Sequence, residues 1–207
     1  MEKKEENQEY IRKLIKDLES VNYVKPEDIP NIELYMDQVT TFMDQNLESL
    51  KRYEEDKLLT KTMINNYTKN HLLPSPNKKK YSKDHMLLLI FIYYMKSFMS
   101  ITDIQRLLNP LCEKFFGQGH TISLEKIYRE IFQQIEAQAK SLTKDVIRKF
   151  DHSMEVFEQA EKEDKQFLQT FTFICTLCFD IYTKKQLLEH LIDRQFQPES
   201  QEKPKKK

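Results

Sequence analysis

The sequence predicts a mainly α protein, and three observations predict it. Glycine occurs only twice in 207 residues. The left-handed positions that hairpins and tight turns need therefore have almost no supplier, which argues against a large antiparallel sheet. Leu, Lys, Glu, Gln and Met are plentiful, and these residues lose little side-chain freedom in a helix. Apolar residues also recur in steps of three and four over most of the chain, the spacing of one helix face.

The elements follow in order. Ile11, Leu14, Ile15 and Leu18 mark an N-terminal helix, within a segment placed at 1–27, and Ser20 to Pro26 interrupts it. Pro30 and Asn31 precede a second helical run of Leu34, Tyr35, Val39, Phe42, Met43 and Leu47. Glu48 to Lys57 is polar and charged, either a helix tail or an exposed connector. Thr60 stands at an N-cap position before Met63, Ile64 and Tyr67 on one helix face. Asn70 suits the left-handed turn that would end this helix. Pro74, Pro76 and Asn77 keep Leu72 to Lys80 out of any helix. Ser82 caps an apolar helix from Met86 to Phe98, with Asp84 suited to its first turn. Ser100 and Thr102 open a short helix through Leu108, which Asn109-Pro110 ends.

Gly117-Gln118-Gly119 reads as a linker. Beyond it, apolar positions from Leu124 to Phe157 average about 3.67 residues per step, the period of one long, nearly straight helix. Ser141 and Thr143 are where it would break. A last helix, about Lys165 to Phe196, completes a C-terminal hairpin, and the aromatics from Phe167 to Tyr182 read as its core. Residues 197–207 read as a disordered tail.

Net charge is zero, but it is unevenly spread. Met1 to Leu59 holds 9 basic and 15 acidic residues, Thr60 to Pro110 holds 8 and 2, and the remainder holds 16 of each. The basic excess sits in one middle stretch, where an anionic partner is expected. The longest apolar run, Met86 to Met95, is well short of the roughly 20 residues a membrane span needs. The charged N-terminus has no secretory pattern, and three cysteines are an odd number. Both observations predict a reduced, cytoplasmic protein without a membrane partner.

The stretch TKTMINNYTKNHLLPSPNKKKYSKDHMLLLIFIYYMKSFMSITDIQRLL, Thr60 to Leu108, resembles the winged helix-turn-helix head of MerR-type transcription regulators. The resemblance rests on Tyr67, Leu72, Leu73, Pro74, Lys78 to Lys80, Tyr81, Ile90 and Ser100-Ile101-Thr102-Asp103-Ile104. His71 stands where that family has a helix-ending Gly. The segment from about Asp28 to Leu111 is also similar to an uncharacterised family from low-GC Gram-positive bacteria. The first resemblance implies a winged helix-turn-helix-like head with a short wing at 28–116; the second implies no assigned activity. A C-terminal helical hairpin at 117–196 would then serve dimerisation or effector binding.

The residue chemistry points the same way. At about 100° per residue, Thr62, Asn65 and Lys69 point away from Met63, Ile64 and Tyr67, flanked by Lys61 and Asn66. Asn pairs with adenine edges, Thr bonds or touches a thymine methyl, and Lys suits guanine or phosphate. Lys78, Lys79 and Lys80, with Tyr81 closing the wing, would neutralise phosphates. The expected partner is double-stranded DNA, bound by a homodimer. An ordinary lysine-rich surface, or a helical module for a protein partner, is the alternative.

Catalysis is not expected. Nucleophile elbows, phosphate-cradling loops and dinucleotide fingerprints are missing. Cys175-Thr-Leu-Cys178 lacks the two further ligands a zinc site needs and reads as core packing. No cofactor or metal is expected.

Overall fold

Helix dominates, as composition requires. The computed structural model describes residues 2–19, 23–117 and 119–196, and the expected tail at 197–207 lies outside them. The helices are α1 (Glu2–Asp17), α2 (Met36–Leu47), α3 (Lys61–Lys69), α4 (Lys83–Met95), α5 (Ile101–Phe115), α6 (Leu124–Met154) and α7 (Lys162–Gln195). Two short strands, β1 (Leu34–Tyr35) and β2 (Lys80–Tyr81), pair antiparallel, with Leu34 opposite Tyr81 and Tyr35 opposite Lys80.

The chain divides into two compact units, Tyr23–Ile131 with Leu188–Lys207, and Met1–Asn22 with Phe132–Leu187. The division falls inside α6 and α7 rather than at the Gly117–Gly119 loop. The first unit, the head, has a deep core. Val39, Met43 and Leu47 of α2, Ile64 of α3, and Leu87 to Ile90 of α4 are all buried. Tyr128 reaches in from α6, and its hydroxyl donates to the Val24 carbonyl at 2.7 Å. In the second unit, Ile15, Val146, Phe150 and Phe173 form the buried cluster, with Arg12 over the Phe150 ring and 2.5 Å from Asp151.

Several elements depart from expectation. Leu34 and Tyr35 are strand rather than helix; α2 begins after Tyr35, whose N–H donates to the Gln38 amide at 2.9 Å. Pro110 does not end α5 but lies inside it. Proline there removes a hydrogen bond and costs about 3 kcal/mol. The apolar stripe of Ile104 and Leu108 nevertheless continues through Leu111 to Phe115, and packing that stripe offsets the loss. α6 runs unbroken through Ser141 and Thr143, where the buried Thr143 hydroxyl donates back to the Ala139 carbonyl at 3.1 Å. It stops at Met154, short of Phe157, where the Gln169 amide donates to the Met154 and Val156 carbonyls.

The largest departure is on α7. Phe167, Phe171, Phe179 and Tyr182 are exposed, and only Phe173 of the expected aromatic core is buried. Cys178 is likewise exposed and Cys175 half-buried, so the pair does not pack a core. Among the described residues, no helix is long and apolar enough to cross a membrane.

Candidate nucleic-acid interface

α3 is fixed at both ends. The Thr60 hydroxyl accepts from the Met63 N–H at 3.2 Å, the N-cap expected of threonine at that position. At the other end, the Leu72 N–H reaches the Tyr67 carbonyl at 2.9 Å and the His71 N–H reaches Thr68 at 3.1 Å. This is a Schellman closure, and its left-handed residue is His71 (φ 56°), not Asn70 (φ −94°). The Asn70 carbonyl instead accepts from the Gln105 amide of α5 at 3.0 Å.

Capping fixes which side of α3 faces out. Ile64 and Tyr67 are buried, and Lys61, Thr62, Asn65, Asn66 and Lys69 are all exposed or half-exposed, on the side away from the core. Among the described residues, Thr62, Asn65 and Asn66 make no side-chain hydrogen bond within the chain, so their donors and acceptors face solvent. Lys61 alone of these five is paired, with the Asp37 carboxylate.

The loop after α3 closes as a hairpin. The Lys80 N–H donates to the Asn77 carbonyl at 2.9 Å, and Asn77 bridges Lys80 antiparallel. Lys78 (φ 47°) and Lys79 (φ 65°) form its tip, both left-handed, as the two central residues of a type I′ turn must be. Such a turn is usually built from Asn-Gly, since a side chain there costs roughly 1–2 kcal/mol per residue. Two lysines at that tip therefore carry a conformational cost.

The other two wing residues are engaged. Lys80 lies 5.6 Å from the centre of the Tyr35 ring, a cation–π contact. Tyr81 is 3 % exposed, so it supports the surface and is not part of it. Burial pushes the ionisation of its hydroxyl upward. Tyr81 also meets His85 edge-on at 5.4 Å. The His85 Nδ1 accepts from the Ser82 N–H at 3.0 Å, and burial lowers its pKa, so the ring is held neutral as part of the α4 cap.

Sequence reasoning missed Tyr35, the partner of Lys80, and Asp37, the partner of Lys61. Both sit at the β1–α2 junction, and the acidic first turn of α2 was the available signal for Asp37. Across the connector, Asp44, Glu54, Glu55 and Asp56, together with Lys51, Lys57 and Lys61, line a cavity of about 400 Å³, so the surface beside Lys61 on that side is of mixed charge.

A family model described as Domain of unknown function (DUF1836) matches residues 24–131. The chain belongs to this family. The matched span contains β1, the α3 surface and the lysine hairpin, and it includes the Asp28–Leu111 segment that resembles an uncharacterised family. No curated protein and no solved structure matches the chain.

Proposed function

We propose that this DUF1836 protein is a sequence-specific DNA-binding regulator of MerR-like type, with α3 reading base edges and the Lys78–Lys79 tip gripping phosphate. The observation that carries the reading is the solvent face of α3. Five side chains with hydrogen-bonding or cationic tips stand there with no acid among them. The left-handed lysine tip, which follows α3 in the chain, supports it. In this arrangement Thr62, Asn65 and Asn66 supply specificity, and Lys61, Lys69 and the tip lysines supply charge. A dimeric, effector-controlled promoter mechanism is what the MerR resemblance adds.

Selection from a random pool of duplexes, at two salt concentrations, tests the proposal. The expected outcome is one preferred motif, with log K falling linearly with log salt. A pool without enrichment would refute it. The acidic excess of Met1 to Leu59 favours a second reading, a helical module for a protein partner. Failure to enrich any duplex leaves that one standing.

A further inference from the structure

The head holds a cavity that the proposed DNA surface does not use. It measures about 320 Å³ and is walled by α4, α5, the first turns of α6 and the end of α7. All of these stretches belong to one unit. Among the described residues that line it, nine of ten carry only carbon or thioether side chains, and Lys114 is the tenth. Pro110, which stands inside α5, adds ring carbons to that wall and no N–H. The body of a ligand that fits here is therefore hydrocarbon. A buried hydroxyl, amide or base would find no hydrogen-bond partner, which is costly.

The cavity has a dry end and a wet end. Phe91 and Leu108 are buried, and the Phe91 ring meets the Tyr128 ring at 5.2 Å. Ile131 and Lys114 are exposed. α5 carries two cations, and Arg106 is already committed: it bonds Asp193 at 3.1 Å and lies 3.7 Å from Asp103. The Asp193 pair also ties the end of α7 to α5, which brings Phe196 to the cavity. Among the described residues both ion pairs of α5 are those of Arg106, so Lys114 has none. Its neighbour Glu113 lines a different cavity, with His71 and Cys112. One unpaired cation at the rim of an apolar cavity is complementary to a single negative charge on an apolar body.

We propose that this cavity binds a free medium-chain carboxylic acid, its carboxylate on Lys114 and its tail running toward Phe91 and Leu108. At roughly 30 Å³ for each water-sized group, a cavity of about 320 Å³ takes a tail of about ten carbons. One cation serves one carboxylate, whereas an anionic bilayer is recognised by clusters of about 4–8 basic residues. The free acid is therefore the source. The proposal does not depend on DNA binding, and either can fail without the other.

Calorimetric titration of the full chain with decanoate, below its micellar concentration, tests it. Saturable binding of one molecule per chain is expected, and each two-carbon step from hexanoate to decanoate should tighten it roughly tenfold. Decylamine has a similar tail and the opposite charge, and should bind at least tenfold more weakly. Lys114→Glu, at an exposed position, should reverse that preference. Leu111→Trp fills the cavity from a half-buried position and should abolish binding with helix content unchanged; if it loses helix, the reversal in Lys114→Glu decides alone. The exposed aromatic stripe of α7 is the competing site for an alkyl chain, so Phe171→Glu should bind decanoate as wild type does. Loss of binding in Phe171→Glu, or binding retained in a folded Leu111→Trp, overturns the proposal. So does equal affinity for decylamine, or no binding by the wild-type chain. Binding to phosphatidylglycerol vesicles without uptake of the free acid would also overturn it, in favour of a lipid surface.

Discussion

In the head, every residue of α4 from His85 to Ile92 is buried. In the second unit, α7 is far longer, yet between Lys162 and Leu187 only Gln169 and Phe173 are buried among the described side chains. α4 is apolar all round over that stretch, whereas α7 has charges toward its two ends and an uncharged, largely apolar run from Phe167 to Phe179 between them. The head buries α4 in a deep core, whereas the buried cluster of the second unit holds four residues. An apolar helix stripe marks surface to be covered and does not say whether the cover lies in the same chain.

The largest expected effect breaks that comparison directly. Leu88→Ala, in the head core, should lose about 2–5 kcal/mol of unfolding free energy, since it opens a cavity among fully buried neighbours. Phe171→Ala, measured by denaturant at concentrations low enough to keep the chain monomeric, should stay within about 0.5 kcal/mol of wild type. A Phe171→Ala loss as large as that of Leu88→Ala would mean that α7 is covered within its own chain.

The second comparison lies inside the proposed DNA surface. Replacing Lys78, Lys79 and Lys80 by Ala should weaken binding to all duplexes and lower the salt slope by about 0.9 for each phosphate that is no longer neutralised. Lys80 lies over the Tyr35 ring, so a fall of about 1.8, for two phosphates, is expected rather than about 2.7 for three. Asn65→Ala should leave the slope unchanged and cost roughly 1–3 kcal/mol on the preferred site alone. An altered slope in Asn65→Ala, or an unaltered one in the triple variant, would reverse the two roles.

A smaller effect separates stability from function at the hairpin tip. Lys78→Asn with Lys79→Gly puts the preferred type I′ pair where two lysines are strained, and should stabilise the chain by about 1 kcal/mol. The same variant should bind DNA more weakly. If it is less stable than wild type, the left-handed tip is not the native conformation. If it is more stable and binds DNA equally well, the tip lysines do not touch phosphate.

Much of this surface was legible in the sequence because it is local. Thr60 caps α3, and the 100° rotation per residue sorts Ile64 inward from Asn65 outward, with no knowledge of the rest of the fold. The charge segregation of Thr60 to Pro110 was also there to be counted. What was not legible depends on partners distant in sequence. Pro110 stays helical because the apolar stripe of α5 continues past it, a tertiary gain that local rules do not contain. Leu34 and Tyr35 fit a helical spacing equally well, and only pairing with Lys80 and Tyr81, far along the chain, makes them strand. His71 takes the left-handed position although Asn70 is chemically suited to it, because the Schellman bonds place the turn one residue later. The α7 aromatics read as core because a sequence shows apolar side chains and not what covers them.

The smallest expected effect concerns the one cation of the α3 face that is already paired. Lys61 bonds Asp37, and both side chains are more than half exposed. Exposed pairs of this kind contribute about 0–1 kcal/mol to stability. Asp37 also lies in the first turn of α2, where a negative charge is favourable to the helix by about 0.3–1 kcal/mol. Asp37→Asn should therefore lower unfolding free energy by no more than about 1 kcal/mol. Its effect on DNA should have the opposite sign. In wild type, Lys61 reaches a phosphate only by giving up its carboxylate, and that carboxylate repels the backbone on its own account. Without it, affinity should rise a few-fold at low salt, and the salt slope should grow by up to about 0.9, the equivalent of one further neutralised phosphate. The gain should fade at high salt, where screening weakens both the pair and the repulsion. Lys61→Ala separates the two contributions. If Lys61 contacts DNA, adding Asp37→Asn to Lys61→Ala should recover only the part due to removed repulsion and leave the slope low. A double variant with the same slope as Asp37→Asn alone would take Lys61 out of the interface and confine the phosphate grip to Lys69 and the hairpin tip.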